Sequence, residues 1–404
     1  MKKKIFVILA VFCFSFPGLA LAAETSEPQS PSNPIANFLR SIDYTSRLKL
    51  EFDDNILLTE DNQDSDFKQV FTQTLTYKLP KDKYYFQWGY SGNYAYYNEE
   101  ATGILGHGAY LLYSYRPWDG FSFGIRDDFN WLSDSKIATT IGDRVLGLGY
   151  VQNTPSIQVK YELSDRYTLT TDLYYQFLDV VDGENDDYID NKRVGAKGQL
   201  NYNLTPQRNV IGFLGVDHSQ ITFPQVSEKA ASSDRFFAGL KEKIIGLFDL
   251  TQEIGFESIN MSDPANADDD NVDFRLSLET VFSLYTKLRL GLDYNMRNPS
   301  LRRQYTQYTS DVAYLQLSHS INPKTTALLS YSYENQAFHS PDVLIGQTVE
   351  HKDTFIQNLN LTLSRKILSW LTADVKYDYT KRDTDFAQEG YTDNKFSVSM
   401  TARY

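Results

Sequence analysis

The sequence predicts an all-β chain, a transmembrane antiparallel up-and-down barrel of about 18 strands of the outer-membrane type. Three observations lead there. Apolar and polar residues alternate with strand period from Tyr44 almost to Tyr404. Short turns exchange regularly with long polar loops. After a secretory-type N-terminus, no apolar run is long enough for a membrane-spanning helix.

The composition narrows the function classes. The 404 residues carry 39 Lys and Arg against 52 Asp and Glu, a net charge of −13. So acidic a chain is a poor nucleic-acid binder, because affinity for a phosphate backbone comes from clustered Lys and Arg. With 29 Tyr and 25 Phe there is ample surface to bury, which excludes disorder. Aromatic residues also suit a pleated surface.

Lys2, Lys3 and Lys4 precede the apolar stretch Ile5 to Phe16, and Ala20-Leu21-Ala22 supplies small residues at a cleavage site. Pro17-Gly18 ends the stretch short of a span, so residues 1–22 are expected to be a signal peptide cut near Ala22. The lone cysteine, Cys13, lies within it, so the mature chain is expected to hold no disulfide, thiolate metal site or cysteine nucleophile. Residues 23–42 form a Pro/Ser-rich periplasmic leader, and residues 43–404 the barrel.

Alternation is first clear in Tyr44 to Phe52. It returns in Tyr84, Phe86, Trp88, Tyr90; in Phe121, Phe123, Ile125; in Ile157, Val159, Tyr161; and in Leu288, Leu290, Leu292. It closes with Leu371, Ala373, Val375, Tyr377 and with Phe396, Val398, Met400, Ala402, Tyr404. Short turns fall at Leu79–Lys83, Arg116–Gly120, Ser164–Arg166, Thr205–Asn209, Gly246–Phe248, Ser283–Thr286, Asn322–Lys324 and Arg365–Leu368. Longer polar loops start from Asp53, Val180, Ser262 and Glu334. Short turns then face the periplasm and long loops the outside. The even count takes Gly147 to Leu163 as one strand despite Pro155; splitting it there gives an odd number.

Opposite the apolar faces lie charges of both signs. Arg47 and Lys49 oppose Leu48 and Leu50; Arg126 and Asp128 oppose Phe123 and Ile125; Arg275 opposes Leu276 and Leu278. Arg289 and Asp293 oppose Leu290 and Leu292, and Asp374 and Lys376 oppose Val375 and Tyr377. These nine residues are the candidate lumen-facing set. Tyr85, Tyr174 and Tyr314 fall on the same face. Aromatics such as Tyr77, Tyr84, Trp118, Tyr161, Tyr167, Tyr285 and Trp370 border the short turns, where rings favour headgroup depth beside outer-membrane lipid and lipopolysaccharide. The last strand, ending at Tyr404 with Phe396, Val398, Met400 and Ala402 on the same face, resembles the terminal signature that outer-membrane proteins present to the barrel assembly machinery.

No catalytic, cofactor or metal site emerges. His218-Ser219, His319-Ser320 and His339-Ser340 suggest hydrolase pairs, but His218 and His339 fall at strand ends or in loops and no third residue is placed to orient an imidazole. The acidic loops Asp182–Asp190 and Asp263–Asp273 lack the spacing of a calcium loop. The chain is therefore not taken as an enzyme.

The string Leu48 to Ile56, containing EFDDNI ahead of an acidic loop, resembles the β-barrel porin 2 family. Tyr150-Val151-Gln152-Asn153 leading into Tyr161 to Tyr167 is similar to that family's strand-turn-strand pattern, and the resemblance spans about residues 43 to 404. Members are often encoded beside exopolysaccharide or capsule export genes. The resemblance implies an outer-membrane pore serving polysaccharide exit, with polysaccharide and periplasmic export components as partners. Two function classes stay open: a channel for polymer or small solutes, and a plugged barrel acting through its acidic loops as an interaction or adhesion protein.

Overall fold

The computed structural model describes residues 41–55, 65–98, 103–133, 149–180, 190–205, 210–224, 230–244, 247–262, 269–297, 307–339, 352–385 and 390–404. The expected signal peptide and all but the end of the leader lie outside them. Eighteen strands account for nearly all of the described chain. They are β1 (Ile42–Asp53), β2 (Asp66–Pro80), β3 (Tyr84–Tyr97), β4 (Gly103–Trp118), β5 (Phe121–Leu132) and β6 (Tyr150–Glu162). Next come β7 (Tyr167–Val180), β8 (Asn191–Thr205), β9 (Val210–Thr222), β10 (Ala231–Ile244), β11 (Phe248–Met261) and β12 (Asp269–Ser283). The last are β13 (Thr286–Arg297), β14 (Gln307–Asn322), β15 (Thr325–His339), β16 (Lys352–Lys366), β17 (Leu371–Thr384) and β18 (Tyr391–Arg403).

Each strand pairs antiparallel with its sequence neighbours, and β1 pairs with both β2 and β18, so the sheet closes on itself. Following hydrogen-bonded partners once around returns about 22 residues out of step, which tilts the strands by about 40° and gives a radius of about 18 Å. Every described element belongs to this wall.

Pro155 sits inside β6, which is one strand. It pairs with Asp127 on β5, while the ladder to β7 skips from Asn153 to Ser156. Proline brings no N–H, and the ladder is interrupted on one side only. The β4–β5 turn is closed by Gly120 at φ 85°, a left-handed conformation that Gly adopts at no steric cost. Two expectations are corrected. Asp269 to Asp273 are strand rather than acidic loop, and Glu334 to His339 extend β15. In both cases strand pairing continues beyond the hydrophobic band, where polar side chains hide the alternation.

The faces are inverted relative to a soluble protein. Leu214 and Phe236 are 60% exposed and Ile254 57%, all on the outer wall. Glu51, Asp53 and Asp273 are buried on the inner wall. In a closed sheet neighbouring strands pair the backbone groups, so none needs water and such a wall is compatible with hydrocarbon. Leu292→Arg, at mid-strand on the outer face, should therefore cost about 2–4 kcal/mol of folding free energy in lipid. Ser330→Arg on the inner face should cost much less. Denaturant titration in bilayers measures both.

Candidate functional site

Because paired residues share a face, the register places all nine candidate charges on the inner wall. They form three separate groups. Arg47 Nη2 donates to Ser399 Oγ at 3.0 Å, and Ser399 donates on to Asp374 Oδ2 at 3.1 Å, which joins β1, β18 and β17. Lys49 meets Glu51 at 2.6 Å, and Lys376 meets Asp378 at 2.8 Å. Arg126 Nη2 donates to Asp128 at 3.0 Å along β5. Arg275 Nε donates to Asp293 Oδ2 at 3.3 Å, while Arg289 lies 5.5 Å over the Tyr314 ring.

The largest networks hold residues outside that set. At the seam, Lys68 bridges Glu51 at 2.5 Å and Asp53 at 3.4 Å, and Lys395 bridges Asp53 at 3.3 Å and Asp393 at 2.7 Å. Asp54 accepts from the Asn394 backbone and side-chain amides at 2.6 and 2.7 Å, and Asn55 Nδ2 donates to the Thr392 carbonyl at 2.9 Å. The string Glu51-Phe52-Asp53-Asp54-Asn55 thus joins the first strand to the last. Across β10 to β13, Arg235 donates to Asp273 and Glu253 at 2.7 Å each, and Arg275 approaches Glu253 at 3.8 Å. Alternation with Ile254 and Phe256 was a signal for Glu253 and Glu257; the double Phe236-Phe237 hid the face of Arg235.

The inner aromatics lie flat. A side chain on Gly89, Gly195 or Gly291 would collide with the ring of Tyr110, Tyr174 or Tyr314, each from a neighbouring strand. Gly215 and Gly239 seat Phe237 and Phe213 in the same way. Lys197 and Arg235 cover Phe237 at 4.9 and 4.8 Å, and Lys241 covers Phe213 at 5.2 Å. Among the described residues these rings and ion pairs therefore lie along the wall. Tyr85 joins Tyr110 through Gln87.

Among the described residues the adjacent His–Ser pairs do not meet. Successive strand residues face opposite ways, so His218 and Ser219 lie on opposite sides of the wall. His218 lies within β9 rather than at its end, bound to Asp234 at 2.7 Å, and His319 binds Thr286 at 2.9 Å. The side chain of His339 and nearly all of the loop from Asp182 to Asp190 lie outside the described residues. Among the described residues no group of His, Cys, Asp and Glu could hold a metal ion.

No model of a known protein family matches the chain, and no curated protein matches it. Solved structures do. The siderophore receptor PirA from Pseudomonas aeruginosa aligns over 90% of this chain and 80% of its own, at 11% identity and TM-score 0.50. OpdK from the same organism, crystallised with vanillate, aligns over 91% and 100% at 11% identity and TM-score 0.49. The fold is that of an outer-membrane barrel. At such identity the likeness extends to the fold alone.

The buried seam network gives a sharp expectation. Asp53, with 3% of its side chain exposed, is the shared anion of Lys68 and Lys395. Asp53→Ala leaves both cations undercompensated and should cost about 3 kcal/mol, read as a lower denaturant midpoint in lipid.

Proposed function

We propose that the protein is an outer-membrane channel that admits polar solutes through a hydrated lumen. The observation that carries this is the inner wall: charges of both signs, paired with one another, and rings seated on glycine, all lying against the strands. A barrel of 16–18 strands leaves room for an aqueous path. Because cations and carboxylates neutralise each other along the wall, the described lumen has no dominant sign and favours weak ion selectivity.

Export of an exopolysaccharide is the second reading. What favours it is the arc of β14 to β16, where Gln316, Ser330, Ser332, Asn358, Asn360 and Thr362 line the inner face beside the flat Tyr314 ring. Hydroxyl and amide groups next to an aromatic face suit a sugar. A deletion strain distinguishes the two: export requires loss of surface polymer with retention in the periplasm, restored by complementation, whereas a solute channel leaves the polymer unchanged.

The channel reading itself is tested in planar bilayers. The purified protein should conduct steadily with small cation–anion preference. Gly291→Val should push Tyr314 off the wall and reduce single-channel conductance, and Gly291→Val with Tyr314→Ala should restore it. An insulating wild type would overturn the proposal.

A further inference from the structure

Several inner-wall charges are ordered along the barrel axis. Odd-numbered strands run from the short turns toward the long loops, and even-numbered strands run back. On β1, β5 and β17 a cation comes first and a carboxylate two residues later: Lys49 and Glu51, Arg126 and Asp128, Lys376 and Asp378. On β12 and β18 the order reverses with the direction of the chain, Asp273 before Arg275 and Asp393 before Lys395. In all five pairs the cation therefore lies on the turn side and the carboxylate on the loop side. Lys160 and Glu162, at the turn end of β6, are ordered the other way, and Asp374 precedes Lys376 but is held by Ser364 and Ser399.

Exposure separates fixed pairs from exchangeable ones. Glu51 and Asp393 keep 3% and 4% of their side chains exposed and belong to the seam network. Arg126 and Asp128 are 60% and 32% exposed, and Lys376 and Asp378 36% and 26%. An exposed pair contributes about 0–1 kcal/mol, so a solute can replace either partner at little cost. A solute with a single charge satisfies one partner and leaves the other alone. A zwitterion satisfies both at once, its carboxylate on the arginine or lysine and its ammonium on the aspartate.

Spacing narrows the class. Two residues of strand advance about 7 Å. An extended dipeptide spans about 7 Å between its two charged ends. Building on the channel reading, we propose that the lumen takes short zwitterionic peptides through Arg126–Asp128 and Lys376–Asp378, with the peptide carboxylate toward the turn side.

Swelling of liposomes that hold the purified protein tests it, with diglycine as the zwitterion and N-acetylglycinamide as an uncharged solute of similar size. The wild type should admit diglycine roughly threefold faster. Arg126→Gln, Asp128→Asn, Lys376→Gln and Asp378→Asn together should make the two rates equal. A second variant, Arg126→Asp with Asp128→Arg and Lys376→Asp with Asp378→Lys, keeps every charge and reverses the order. It should retain the diglycine preference. In planar bilayers at low salt, where screening is weak, the wild type should pass unequal currents at opposite voltages, and the reversed variant should lessen that inequality. Entry of neither solute would overturn the channel reading and this inference with it. Equal rates in the wild type, an unchanged ratio in the neutral variant, or equal wild-type currents at opposite voltages would overturn this inference and leave the channel standing.

Discussion

An open eighteen-stranded sheet would carry two rows of unpaired amides and carbonyls into lipid, and the pairing of β1 with β18 removes both. The seam is fastened at each end. At the turn side, Tyr44 and Tyr404 exchange backbone hydrogen bonds of 3.1 and 2.9 Å. At the loop side, Asp54 receives two donors from Asn394. Between them, on the inner face, Lys68 and Lys395 alternate with Glu51, Asp53 and Asp393. Opposite charges on three adjacent strands favour only the register that brings them together, so the same residues that close the barrel also select its stagger.

Closure in turn fixes which side each residue faces. With no edge left, the outer wall can be largely apolar and the inner wall can hold charge. Some inner charges pair along a single strand, as Lys49 with Glu51 and Arg126 with Asp128 do, and others are shared between strands and tie them together. Arg235 with Asp273 and Glu253, and Arg275 with Glu253 and Asp293, brace four consecutive strands in this way. Flat aromatics on glycine brace the wall differently, filling the space of a missing side chain without intruding on the bore.

Much of this was legible in the sequence because a strand's period of two is a strong signal. Leu48 and Leu50 against Arg47 and Lys49 give the faces directly, and the alternation of turns and loops gives the strand count. Where legibility failed, two residue types blurred the period. Polar extensions such as Asp269 to Asp273 resemble loops because both faces are hydrophilic above the hydrocarbon. Inward Phe213 and Phe237 resemble outward anchors until their glycine seats on neighbouring strands are known. The EFDDNI string stood out as a family resemblance, and its physical meaning at the seam needed the partner strand β18, more than three hundred residues away.

The central claim, a closed wall with water on one face and lipid on the other, is tested most directly by cysteine accessibility along β17. Single cysteines at each position from Thr372 to Thr380, placed in the protein in bilayers, would be probed with a water-soluble maleimide and a lipid-phase quencher. The result expected is strict alternation: Asp374, Lys376 and Asp378 positions labelled from water, and Val375, Tyr377 and Tyr379 positions quenched from lipid. Labelling without a period of two, or inner positions as unreactive as outer ones, would contradict it.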